Sequence, residues 1–98
     1  MIDDKLLYNM NNIFKSHKEI EKIILFGSRA ENREKYNSDI DLSVVGDFDF
    51  LFCERLKEEL SELETLLKFD VINHNDINNK ELKNNIEKYG KIIYNKIG

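Results

Sequence analysis

The sequence contains no proline, a single cysteine and four glycines, and it carries no excess of positive charge. With no proline and no internal repeat, it offers no proline-rich linker and nothing else that would divide it. One cysteine, Cys53, excludes an internal disulfide and any multi-cysteine zinc site, and reads as a small buried hydrophobe. No apolar run approaches the roughly 18–20 residues of a membrane span. Asp3 and Asp4 stand where a secretory signal would carry basic residues. A cytoplasmic address without membrane contact is therefore expected. The net charge of −4 provides no global basic field, so nucleic acid is not expected as a direct partner.

What is present suits a globular chain: 98 residues, 41% apolar and 35% charged. This is one expected domain, residues 1–98, near the small end of what folds alone. Leu6, Met10, Ile13 and Phe14 recur at helical spacing between Asp3 and Ser16, with Asp3 or Asp4 as the cap. Ile23 to Phe26 is a continuous apolar run stopped by Gly27, as in a strand buried on both faces. From Asp39 to Val45 the pattern alternates, with Ile40, Leu42 and Val44 facing one way and Asp39, Asp41, Ser43 and Val45 the other. Phe52, Leu56, Leu60, Leu63 and Leu67 predict a helix between Asp49 and Leu67. Phe69 to Asn73 reads as a third strand, and Leu82, Ile86 and Tyr89 as a helix ended by Gly90. The tail KIIYNKI adds a candidate edge strand. The order α-β-β-α-β-α defines an α/β (α+β) domain, a small mixed β-sheet flanked by helices.

Asp39 and Asp41 project from one face of their strand, where two like charges repel unless a cation joins them. Magnesium suits such an all-oxygen site; on a half-exposed sheet the pair could equally face solvent. The topology narrows the choice. A helix connects the Asp41 strand to the Asp70 strand, as a parallel crossover requires, so both strands start at the same edge. Gly27-Ser28 closes the first strand, and antiparallel pairing brings that end to the same edge. Asp70 is then the third carboxylate, and a metal the missing partner. Gly27 permits close backbone approach, and N–H groups after a strand can hold phosphate oxygens; a short helix after Ser28 would add its dipole. Arg29 reads either as a bidentate phosphate clamp or as a surface arginine. His17 and His74 read as surface or helix-end residues. Tyr8, Tyr36, Tyr89 and Tyr94 read as packing residues, with base stacking or nucleotide acceptance as the alternative.

The spacing Gly27-Ser28, ten residues, Asp39-Ile40-Asp41, then Asp70 in a later strand, resembles the DNA polymerase beta-like nucleotidyltransferase superfamily and its palm-like fold. "LFGSRA" and "SDIDLSVV", with "IEKYGKIIY" near the end, resemble the minimal nucleotidyltransferase (MNT) domains across nearly the whole chain. This resemblance implies that Asp39, Asp41 and Asp70 are the catalytic and metal-binding carboxylates. It implies two Mg²⁺ ions, with ATP as donor held at Gly27 and Ser28; Arg29, on its own reading above, is the further candidate for nucleotide binding. Many relatives continue "GSRARG"; here Glu31-Asn32 follow Ala30, removing a basic residue beside the phosphates.

Minimal nucleotidyltransferases are commonly antitoxins of HEPN ribonuclease toxins, in a HEPN/MNT pair. The resemblance therefore implies AMP transfer to a tyrosine of an all-helical HEPN-type toxin partner, in a hetero-oligomer. Two alternatives are a non-catalytic antitoxin that covers its toxin sterically and a nucleotidyltransferase subunit acting on a small molecule.

Overall fold

The computed structural model describes residues 2–97. The Asp3 carboxylate accepts the Leu6 N–H at 3.1 Å and starts helix α1, Asp4–Lys15, whose Leu6, Met10 and Phe14 are buried. Strand β1, Ile20–Phe26, begins three residues earlier than the apolar run suggested, because Ile20 is itself a core residue. Strand β2 covers Ile40–Gly46, helix α2 Phe52–Ser61, strand β3 Phe69–Asn73, helix α3 Lys80–Tyr89 and strand β4 Lys91–Asn95. The sheet order is β3-β2-β1-β4. β1 is antiparallel to both of its neighbours, and β2 and β3 are parallel. The tail therefore does form an edge strand, beside β1. This is a mixed α/β fold with helices on the sheet.

One face of the sheet is sealed by α1 and α2. Ile23 and Leu25 of β1, Ile40, Leu42 and Val44 of β2, and Val71 of β3 pack with Met10, Phe14, Leu56 and Leu60. α2 is shorter than its apolar stripe predicts. The helix ends at Ser61, and Leu63 and Leu67 reach the same core from the irregular segment that follows. Hydrophobic spacing records which residues are buried, and a chain leaving a helix can keep that spacing for a few residues. On the other face α3 contributes a single buried residue, Ile86, while Leu82 and Tyr89 are exposed. Gly90 caps α3 at ordinary negative φ; a β-carbon there would lie 2.5 Å from Ile24 Cγ2. Its size, rather than a left-handed turn, is what the position uses.

Two polar residues are buried on the α3 face in a way that local sequence does not announce. The Ser43 hydroxyl lies 2.8 Å from His74 Nδ1, and His74 Nε2 lies 3.1 Å from a Glu87 carboxylate oxygen. Ser43 is fully buried and His74 nearly so, so His74 is no surface residue; it joins β2 to α3. His17 is half-buried, 2.6 Å from Glu59 and edge-on to Phe52. Tyr94 packs on Phe14. Tyr8, Tyr36 and Tyr89, by contrast, are exposed rather than packed. No helix among the described residues is long and apolar enough to cross a membrane.

Candidate active site

Register aligns the sequence-predicted residues across three strands. Phe26, the last residue of β1, pairs with Asp41, and Asp41 pairs with Asp70 on the parallel β3. Gly27 follows immediately, in the left-handed region at φ 76°; a β-carbon on it would sit 2.5 Å from Asp41 Oδ2. Only glycine meets both conditions, the positive φ and the carboxylate pressed against it. Asp39 is one residue ahead of β2, exposed, and in phase with Asp41. Asp70 is also exposed.

Asp41 lies between these neighbours. Its carboxyl pKa is raised, first by burial and then by the charges of Asp70 and Asp39. Those charges act on Asp41 from β3 and from the residue ahead of β2. Among the described residues, however, no three acidic, histidine or cysteine side chains close into a ready-made metal cage. The donor set is all carboxylate, with a glycine cradle beside Asp41, and this chemistry fits Mg²⁺.

The segment after Ser28 is a single 3-10 turn, Gly27–Arg29. It is too short to supply the helix dipole expected there, so any grip on phosphate comes from the turn itself. Arg29 lies inward, with 6% of its surface exposed. Its Nε donates to the Ser38 carbonyl at 2.9 Å and its Nη2 to the Tyr36 carbonyl at 3.4 Å. These contacts tie down the loop that delivers Asp39. Arg29 is therefore not the surface arginine that is one of the two sequence readings. Asn32 takes φ 57°, the left-handed conformation, at the position where the family pattern has glycine; asparagine tolerates that region. Glu31, in place of the pattern's arginine, lies 3.4 Å from Arg33.

A mixed four-stranded sheet with helices in this order is the nucleotidyltransferase fold. The family described as "Polymerase beta, Nucleotidyltransferase" matches residues 8–97, and the chain belongs to it. A relative from Methanocaldococcus jannaschii, named "Putative protein adenylyltransferase MJ0604", is 33% identical over 105 positions, spanning 96% of this chain and all of the relative. Among solved structures, a chain of a toxin–antitoxin complex with AMP-PNP superimposes with a TM-score of 0.72 at 21% identity, covering 96% of this chain and 74% of its own. A chain of the complex between tri-AMPylated Shewanella oneidensis HEPN toxin and its MNT antitoxin gives a TM-score of 0.63 at 23% identity, with 92% and 72% covered.

Proposed function

We propose that this chain transfers AMP from ATP to a tyrosine of an all-helical HEPN-type toxin, and that it silences the toxin by doing so. The observation that carries this reading is the alignment of Gly27, Asp41 and Asp70 across three strands, with Asp39 in phase beside them. The relative named as an adenylyltransferase aligns over all of its own length and 96% of this chain, and an AMPylated toxin is a partner of one of the similar folds. Both support AMP as the group moved and a protein as its acceptor.

In the reaction the tyrosine oxygen forms a bond to the α-phosphorus and the bond from that phosphorus to the bridging oxygen breaks. Pyrophosphate leaves with the electron pair, and the phenolic proton is released to solvent. Asp39, Asp41 and Asp70 would hold two Mg²⁺ ions, which when bound supply charge neutralisation at the attacking and leaving oxygens. The Gly27-Ser28 turn receives the triphosphate, with the Ser28 hydroxyl donating to a phosphate oxygen. Arg29 acts at one remove, holding the loop that presents Asp39. Catalysis by these residues is positioning and charge neutralisation, with no covalent enzyme intermediate.

The test is to incubate toxin, chain, ATP and Mg²⁺ and weigh the toxin. One or more AMP masses should be added by the wild type and none by Asp39→Asn/Asp41→Asn, which should also fail to protect cells. A double variant that protects cells fully while forming the same complex would mean the chain works by steric cover. Transfer to a metabolite with no protein present would identify a small-molecule enzyme instead.

A further inference from the structure

The row of carboxylates has two ends. At the β1 end is the Gly27-Ser28 turn. At the β3 end, between the strand starts and the end of α2, a cavity of about 310 Å³ opens, with Asp39 and Asp70 in its wall. Lys57 and Ser61 of α2 line it from one side, and Leu67 and Lys68 from the segment leading into β3. Neither lysine has an ion-pair partner among the described residues, although two carboxylates share the cavity with them.

Phosphoryl and nucleotidyl transfers place the attacking and leaving oxygens roughly in line on opposite sides of the phosphorus. If the triphosphate rests on Gly27-Ser28, pyrophosphate departs toward β1, and the nucleophile has to arrive from the β3 side. That is where the cavity lies. Its volume is at the low end of ligand pockets, about 300–1,000 Å³, which suits one aromatic side chain better than a nucleoside triphosphate. Leu67 gives a partly apolar wall for a ring, while two uncommitted ammonium groups attract anions.

We propose that this cavity is the acceptor pocket, taking a tyrosine side chain whose flanking acidic residues are held by Lys57 and Lys68. The proposal rests on the transfer reaction above for its chemistry and adds the place and the partner's local charge. Lys57 and Lys68 are positioning residues, since they engage the segment around the hydroxyl rather than the phosphorus. Their contribution therefore falls on acceptor affinity.

The experiment uses acetyl-Asp-Tyr-Asp-amide as probe, titrated into the isotope-labelled chain with Mg²⁺ and AMP-PNP. Amide resonances of Ser61, Leu67 and Lys68 should shift, and those of Gly27 and Ser28 should respond to the nucleotide alone. Ser61→Trp, which fills the cavity from an exposed position, should abolish peptide binding and leave AMP-PNP affinity unchanged. Lys57→Ala/Lys68→Ala should raise the KM for peptide adenylylation by about tenfold or more with kcat nearly constant. Lys57→Arg/Lys68→Arg should restore it, which a purely structural role would not require. Peptide binding that survives Ser61→Trp, or AMP-PNP displacing the peptide from Ser61 and Lys68, would overturn the proposal. Peptide bound in the cavity without any AMP transfer would support the pocket and count against the transfer reaction itself. Transfer unaffected by every cavity variant would support the reaction and reject the pocket.

Discussion

Burial and the neighbouring Asp70 and Asp39 charges hold the Asp41 carboxyl above its ordinary pKa. A carboxyl raised in this way favours the fold when protonated. Its contribution to stability therefore declines as the pH climbs through the usual carboxylate range toward the higher folded value. At neutral pH an amide removes that loss, so Asp41→Asn should melt no lower than wild type without metal. Mg²⁺ with a triphosphate should raise the wild-type Tm by mass action, and the same variant should lose that rise. An unchanged Mg²⁺ response would exclude a shared carboxylate site. Ser28 allows a cleaner loss of function. Removing one hydrogen bond to a charged phosphate costs about 1.5–3 kcal/mol, so Ser28→Ala should bind ATP roughly 10- to 150-fold more weakly with metal-free stability intact. Titration calorimetry measures the affinity and thermal melting the stability, and equal affinity in the two proteins would reduce Gly27-Ser28 to a turn.

Between elements, the Arg29 contacts to the Tyr36 and Ser38 carbonyls fasten the β1–β2 connection beside the site. Arg29→Ala should cost roughly 2–3 kcal/mol in denaturant unfolding for the lost charge-assisted bonds. It should also lower kcat, because the loop ahead of Asp39 is loosened, and an unaltered kcat would show that this fastening does not reach the chemistry. Arg29 also marks how far sequence reading goes. Alternation and apolar runs set out β1, β2 and β3, and glycine and two aspartates at a known spacing marked the edge where they meet. Which way a buried arginine turns depends on carbonyls seven and nine residues along the chain, and no period encodes that. The Ser43–His74–Glu87 chain is harder still, since its partners lie 31 and 13 residues apart and each taken alone is an ordinary polar residue. Lys57 and Lys68 were equally silent, being two among many lysines until β3 and α2 brought them beside Asp39 and Asp70.

Over the whole molecule, the core is assembled from α1, α2 and the sheet, and Cys53 is one of its buried residues. Burial, with smaller help from Asp76 and Glu54, pushes its thiol pKa up to about 11. The reactive thiolate is therefore scarce at neutral pH. Iodoacetamide should label Cys53 slowly in the native protein and rapidly in denaturant; fast native labelling would show that α2 opens readily. The parallel pairing of β2 with β3 has a consequence for how the protein is made. A β1–β2 hairpin is a local structure that already contains Gly27, Ser28, Asp39 and Asp41, whereas Asp70 arrives only when the long crossover through α2 closes. Closing that loop costs chain entropy before its contacts repay it. Refolding should thus recover hairpin protection from hydrogen exchange before it recovers nucleotide transfer. A chain caught halfway would hold most of the proposed site and catalyse nothing, so catalytic competence would count only molecules that have finished folding.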